Sequence, residues 1–243
     1  MKSFATSAGL IRIGTQHEAF VTLTALINDA CLQGPASVAL SGGSTPKAYY
    51  KWVVDNWAFS KRTLDFAHWH VSDERCVPLS SDDSNFGNAT RLLLDPLRIA
   101  DSKRHPWPVD QLPDIAAAQY EATLRAKDRA YDICLLGLGD DAHTASLWPG
   151  CPLIGSGDKR RFADTEWPGR GHRLTVTEAG LATCKRIVVL AYGANKATAL
   201  KHVVEGGSNA KKYPAQVLRQ LQAKTFWFVD EAAAAGLECA KEG

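Results

Sequence analysis

VALSGGSTPKAYY, residues 38–50, is an apolar run that breaks into glycines, hydroxyls and a proline and then resumes with residues suited to a helix. A strand that empties through such a turn into a helix is the repeating half of a βαβ unit. The same rhythm recurs along the chain. Short apolar runs lie at Val38–Leu40, Phe66–Val71, Ile133–Leu138, Leu174–Val176, Ile187–Tyr192 and Phe226–Val229, most of them separated by helix-length segments. Thr15 and Glu18 form a capping box for a helix carrying Phe20, Leu23, Leu26, Ile27 and Ala30, which Gly34 is placed to end. The expected fold is a single α/β domain over residues 1–243, a mostly parallel sheet with helices on both faces. The stretches at 101–114 and 149–172, rich in Pro, Gly and charge, read as surface excursions.

Composition sets limits on function. The 243 residues are 45% hydrophobic, enough for a sizeable core, and 28 Lys and Arg oppose 26 Asp and Glu for a net charge of +2. That balance offers no field for nucleic acid or an anionic membrane, so an anionic ligand must be held locally. The six cysteines are scattered without a C-x-x-C pair and read as free thiols of a reducing compartment. Neither a signal-peptide core nor an apolar run of about 20 residues is present, so a cytoplasmic protein is expected.

The polar loops that follow four of these runs are SGGST after Leu40, SDER after Val71, GDDAHTAS after Leu138 and GANK after Tyr192. In a parallel sheet they share the carboxyl-terminal edge, where open α/β folds bind ligands. In SGGST, Thr45 is expected as N-cap and Pro46 as first helical residue. Gly42 and Gly43 would let backbone approach an anion, while Ser41, Ser44 and Thr45 add hydroxyls. It is not a Walker A loop, because no Gly precedes Lys47 and no hydroxyl follows it. In GDDAHTAS, His143 is the candidate general base and Asp141 a carboxylate able to orient it. Asp73, Glu74 and Arg75 stand at a strand end, where Arg75 suits a phosphate or carbonyl oxygen. His68 and His70 share a strand face; without a third ligand at metal spacing they read as packed or hydrogen-bonded residues rather than a metal pair. Trp69, Trp148 and Trp227 read as core or pocket wall.

Taken in order, ALSGGSTP, HVSDERCVP with SNFGNATRLLL, ICLLGLGDDAHTASLWPG, HRLTVT, GANKATAL and FWFVDEAAA resemble the 6-phosphogluconolactonase family over nearly the whole chain. The resemblance implies the fold shared with glucosamine-6-phosphate deaminase and ribose-5-phosphate isomerase, a Rossmann-like α/β domain. It also implies hydrolysis of a sugar phosphate lactone, 6-phospho-D-glucono-1,5-lactone, in the pentose phosphate pathway, with no metal or organic cofactor. A monomer or small homo-oligomer is expected. By the same resemblance His143 and Asp141 are catalytic, Asp73 and Arg75 match the D-E-R motif, and Gly42, Gly43, Ser44, Arg173 and Lys196 surround the phosphate. One position departs from the family: Ala142 stands where Gly is usual. A left-handed backbone there would cost Ala roughly 1 to 2 kcal/mol relative to Gly. The deaminase alternative is disfavoured because Ser146-Leu147-Trp148-Pro149 carries no carboxylate where that relative has one. A sugar-phosphate-binding regulator would be expected to carry an effector or DNA-binding segment as well.

Overall fold

The computed structural model describes residues 1–124 and 128–240. Two antiparallel strands, β1 (Lys2–Thr6) and β2 (Gly9–Ile13), precede α1 (Gln16–Ala30), β3 (Ala36–Leu40) and α2 (Ser44–Asp55). Next come α3 (Lys61–Phe66), β4 (Ala67–Val71), β5 (Asp73–Arg75), α4 (Asn85–Ala89), α5 (Pro113–Thr123) and β6 (Ile133–Gly137). The chain continues through β7 (Phe162–Trp167), β8 (Gly171–Val176), α6 (Glu178–Thr183), β9 (Arg186–Ala191), α7 (Ala197–Val204), β10 (Thr225–Val229) and α8 (Glu231–Ala234).

The main sheet has the order β1-β2-β10-β9-β6-β3-β4 and is parallel except for β1. From β3 the chain steps outward to β4 on one side, then to β6, β9 and β10 on the other. The winding therefore reverses between β3 and β6, the place where an open α/β sheet leaves a crevice beyond its carboxyl ends. Strands β3, β6 and β9 are buried along most of their length, as expected for a sheet covered on both faces. Trp69 and Trp227 are fully buried, and the Trp227 indole donates to the Ala8 carbonyl at 2.9 Å.

Several local expectations need correction. The capping box of α1 is present, but the helix ends at Ala30 with Cys31 as its cap, and Gly34 lies in the turn beyond. Phe66 closes a short helix instead of opening β4. The run Leu174–Val176 belongs to β8, which joins β5 and β7 in a separate antiparallel sheet of order β5-β8-β7. Its partner β7 comes from the stretch expected to be an excursion. The other such stretch is pinned by Trp107, whose indole donates to Val71 O at 3.1 Å while its ring stacks on Tyr120 at 3.8 Å. His68 and His70 point to a packed cluster: His68 Nδ1 lies 2.8 Å from His105 Nε2, and His70 Nδ1 lies 3.0 Å from the Tyr120 hydroxyl.

Candidate active site

The crevice at the β3/β6 reversal is lined by Ser41–Pro46, Asp73, Arg75, Asn85, Gly139, His143, Ala145, Tyr192 and Lys196 among others. Strands β4, β3, β6 and β9 are neighbours, so the loops that leave them are neighbours too.

After β3, the Tyr50 hydroxyl of α2 accepts from Ser41 N at 3.0 Å and donates to Ser41 O at 2.6 Å, which fixes the loop exit to the helix. The helix starts two residues earlier than Thr45 capping would give. Gly43 is the N-cap at φ 100°, a conformation suited to glycine, and Ser44, Thr45 and Pro46 form the first turn. The first helical bond runs from Lys47 N to Gly43 O, so the amides of Ser44 and Thr45 lie at the unsatisfied end of α2. Gly42 is required for another reason: a Cβ there would sit 2.1 Å from Asn85 Oδ1.

The D-E-R stretch divides its labour. Asp73 is buried; Oδ2 accepts from Ser146 Oγ at 2.7 Å, Oδ1 from Ser72 Oγ at 3.2 Å, and its carbonyl accepts from Asn85 Nδ2 at 2.9 Å. Glu74 is fully buried and takes four donors: Arg75 N at 2.8 Å and Asn85 N at 2.7 Å on Oε1, Phe86 N at 2.8 Å and Ser84 Oγ at 3.0 Å on Oε2. This carboxylate holds the start of α4, and with it Asn85, against the pocket. Burial pushes the Glu74 carboxyl up, opposed by those hydrogen bonds. Arg75 lines the pocket and donates to the Asp83 carbonyl. Arg173 is absent from the pocket wall. It stands opposite Arg75 in the β5–β8 pairing, and burial together with the Arg75 charge lowers its pKa. Two like charges in cross-strand register destabilise a sheet unless an anion is shared between them.

After β6 the chain folds on itself. Gly139 N donates to His143 O at 2.8 Å, Ala142 N to Gly139 O at 3.0 Å, and Thr144 Oγ1 to Gly137 O at 2.9 Å. Ala142 is buried with φ 65°, and Ala145 has φ 47°, so two alanines occupy the left-handed region. His143 Nδ1 lies 2.6 Å from Asp141 Oδ1. Burial pushes the Asp141 carboxyl up, but hydrogen bonds from the His143 ring and backbone outweigh it and leave its pKa at about 2. An ionised carboxylate only accepts, so Nδ1 carries the hydrogen and, in the neutral ring, Nε2 keeps the lone pair. Asp73, the other pocket carboxylate, is engaged with Ser146 and Ser72. Across the crevice Lys196 is ion-paired with Asp140, which also accepts from Asn195 Nδ2 at 2.9 Å.

Asn85 and Tyr192 were not anticipated as pocket residues, although SNF in the quoted motif was a usable signal for the first. Trp167, on β7, also went unread; its ring contacts His143, with centroids 4.9 Å apart. Among the described residues no group of three or more His, Cys, Asp or Glu side chains is arranged to hold a metal, and no helix is long and apolar enough to cross a membrane.

The profile of the glucosamine-6-phosphate isomerases/6-phosphogluconolactonase family matches residues 15–227. A 6-phosphogluconolactonase of Synechocystis sp. is 34% identical over 232 residues, covering 91% of this chain and 93% of the relative. The solved 6-phosphogluconolactonase of Trypanosoma brucei superposes with a TM-score of 0.79 at 25% identity, covering 97% of this chain and all of that one. A monomeric glucosamine-6-phosphate deaminase superposes at 0.78 with 19% identity over 93% of this chain and 99% of its own, a likeness of fold.

Proposed function

The chain belongs to the glucosamine-6-phosphate isomerase/6-phosphogluconolactonase family, and within it we propose that it is a 6-phosphogluconolactonase acting through His143. It hydrolyses 6-phospho-D-glucono-1,5-lactone to 6-phospho-D-gluconate. The observation that carries the reading is the Asp141–His143 pair, with its ring nitrogen Nε2 left as a base, in the same crevice as the open end of α2.

A δ-lactone is an activated ester, so water and a base suffice. His143 Nε2 takes a proton from water as the oxygen adds to C1, and Asp141 holds the tautomer and bears against the imidazolium that forms. Arg75 or amides of the SGGST turn stabilise the developing oxyanion. Collapse breaks the C1–ring-oxygen bond, and the imidazolium returns its proton to that oxygen. General-base help contributes about 10²- to 10⁴-fold and one oxyanion donor about 10²- to 10³-fold. The phosphate binds at Gly42, Gly43, Ser44 and Thr45, with Lys196 supplying charge from the pocket wall and Arg173 from outside it, opposite Arg75, and Asp73 braces the pocket floor through Ser146. Lys196 must then exchange or share its Asp140 partner.

The reaction draws on no cofactor. The proposal extends to a cytoplasmic enzyme that acts as one α/β unit, a monomer or small homo-oligomer without nucleic acid. The free cysteines and near-neutral charge support that setting.

The test is acid release from freshly made 6-phosphogluconolactone, measured against spontaneous hydrolysis. Acceleration that depends on the phosphate supports the reading. A rate equal to the spontaneous one, or comparable kcat/KM for unphosphorylated gluconolactone, overturns it.

A further inference from the structure

The hairpin formed by β7 and β8 brings a second ring to the base. The His143 imidazole and the Trp167 indole have centroids 4.9 Å apart with planes at 75°, an edge contact between aromatic systems. Trp167 is itself held. The Arg170 guanidinium lies 4.7 Å from its ring centroid, Trp148 packs near-parallel at 6.3 Å, and the hairpin turn closes with Arg170 N donating to Trp167 O at 2.8 Å.

We propose that Trp167 is a positioning residue for the hydrolysis, the lateral stop that fixes the His143 imidazole. The inference rests on the lactonase reading above. Its logic is one of degrees of freedom. Asp141 grips the ring at Nδ1 alone and from the same short loop, with an exposed carboxylate. A planar ring held at one atom still swings about that bond, and the swing moves Nε2, the atom that must meet the water. A contact from a different element, the hairpin, removes that swing. Misplacing a reacting group by 1 Å costs about 10²-fold in rate, so partial release of the ring should cost roughly tenfold. Trp167 contacts the base and is absent from the pocket wall, so the loss belongs in kcat.

The experiment compares wild type, Trp167→Ala and Trp167→Phe in the lactone assay, corrected for spontaneous hydrolysis, together with NMR of the His143 ring. Trp167→Ala is expected to lower kcat about tenfold with KM within twofold, and Trp167→Phe to recover most of it, because a smaller aromatic edge still blocks the swing. Nuclear Overhauser contacts between the His143 and Trp167 rings should be present in the wild type, whether or not it turns over lactone. The inference is overturned by an unchanged kcat in a folded Trp167→Ala, by a rise confined to KM, by failure of folded Trp167→Phe to recover kcat, or by absence of the ring–ring contact. A wild type without lactonase activity but with that contact removes the functional reading and leaves the geometry standing.

Discussion

Asp141 grips His143 twice with one oxygen: Oδ1 lies 2.6 Å from the ring Nδ1 and accepts the backbone N–H of the same residue at 3.0 Å. The carboxylate thereby sets both where the residue's main chain runs and which ring nitrogen bears hydrogen. The tautomer and the course of the main chain thus come from a single side chain two positions away, while Trp167 bears on the ring from the side.

The first expectation concerns roles. His143→Ala should lower kcat by about 10²- to 10⁴-fold while product binding survives, and Asp141→Asn should lower it less. Ser146 is buried and donates to Asp73, so Ser146→Ala should cost about 1.5 to 3 kcal/mol of stability with little change in kcat. Kinetics and urea denaturation on the three variants separate these effects. An active His143→Ala beside a dead, folded Ser146→Ala would exchange the base mechanism for a serine nucleophile.

The second concerns pH. The Asp141 carboxyl stays at about 2 when folded, against about 3.9 in an unfolded chain. The native state then binds fewer protons between those values. Its stabilising contribution is full above about pH 4 and is lost as pH falls toward 2. The stability gap between wild type and Asp141→Asn, followed by urea midpoint, should not decline until pH drops below about 4. A gap that closes near pH 6 would mean that another group governs it.

Gly139→Ala should disable the site without replacing a catalytic residue. A Cβ at this position would lie 1.9 Å from His143 Nδ1 and 2.6 Å from Asp141 Oδ1, inside the hydrogen bond itself. Displacing the ring by about 1 Å is worth about 10²-fold in kcat. Near-wild-type turnover would show that the imidazole has another productive pose.

Ala142→Gly should stabilise the protein. The left-handed φ of 65° costs Ala about 1 to 2 kcal/mol, and the extra unfolded-state freedom of Gly returns about 0.4 to 1 of that. A net gain of about 0.5 to 1 kcal/mol corresponds to a few degrees in Tm for a chain of this size. Calorimetry showing a fall in Tm would mean that Ala142 relaxes out of this conformation.

Glu74→Gln keeps the shape and loses one of the two acceptor oxygens. Both carboxylate oxygens receive two donors each, and an amide would turn N–H groups toward two of them. Each buried donor left unmet costs about 1 to 3 kcal/mol, so a loss of at least about 2 kcal/mol is expected in chemical denaturation. Asn85 should also loosen, which would appear as a higher KM.

The parallel strands were legible because Ala36–Leu40, Ile133–Gly137 and Arg186–Ala191 are apolar runs bounded by turn residues, a pattern imposed by burial on both faces. The pair Asp141 and His143 was legible because its members are neighbours in the chain. What escaped depends on distant partners. KSFAT and GLIRI are short and lack a continuous apolar run, and β1 forms the edge of the sheet. In the small sheet, DER finds its partner GHRLTV only through tertiary structure. Asn85 and Tyr192 reach the crevice, and Trp167 reaches His143, by the same indirect route. The left-handed turn at Ala142 was raised only by comparison with a family that prefers Gly there, since an isolated Ala gives no local sign of positive φ.

The reversal between β3 and β6 has a consequence for how working molecules are counted. The Ser37 amide is bonded to Asp132, 95 positions further on, and Asp73 to Ser146, 73 further on. No contiguous segment contains the crevice, and distant contacts of this kind carry a heavy loop-closure cost before they reward the chain. The catalytic ensemble therefore comes into being only when the sheet closes, and it vanishes when the sheet opens. Turnover in a sample reports the closed population: a substitution that weakens the sheet far from His143 leaves fewer active molecules, each with unaltered chemistry.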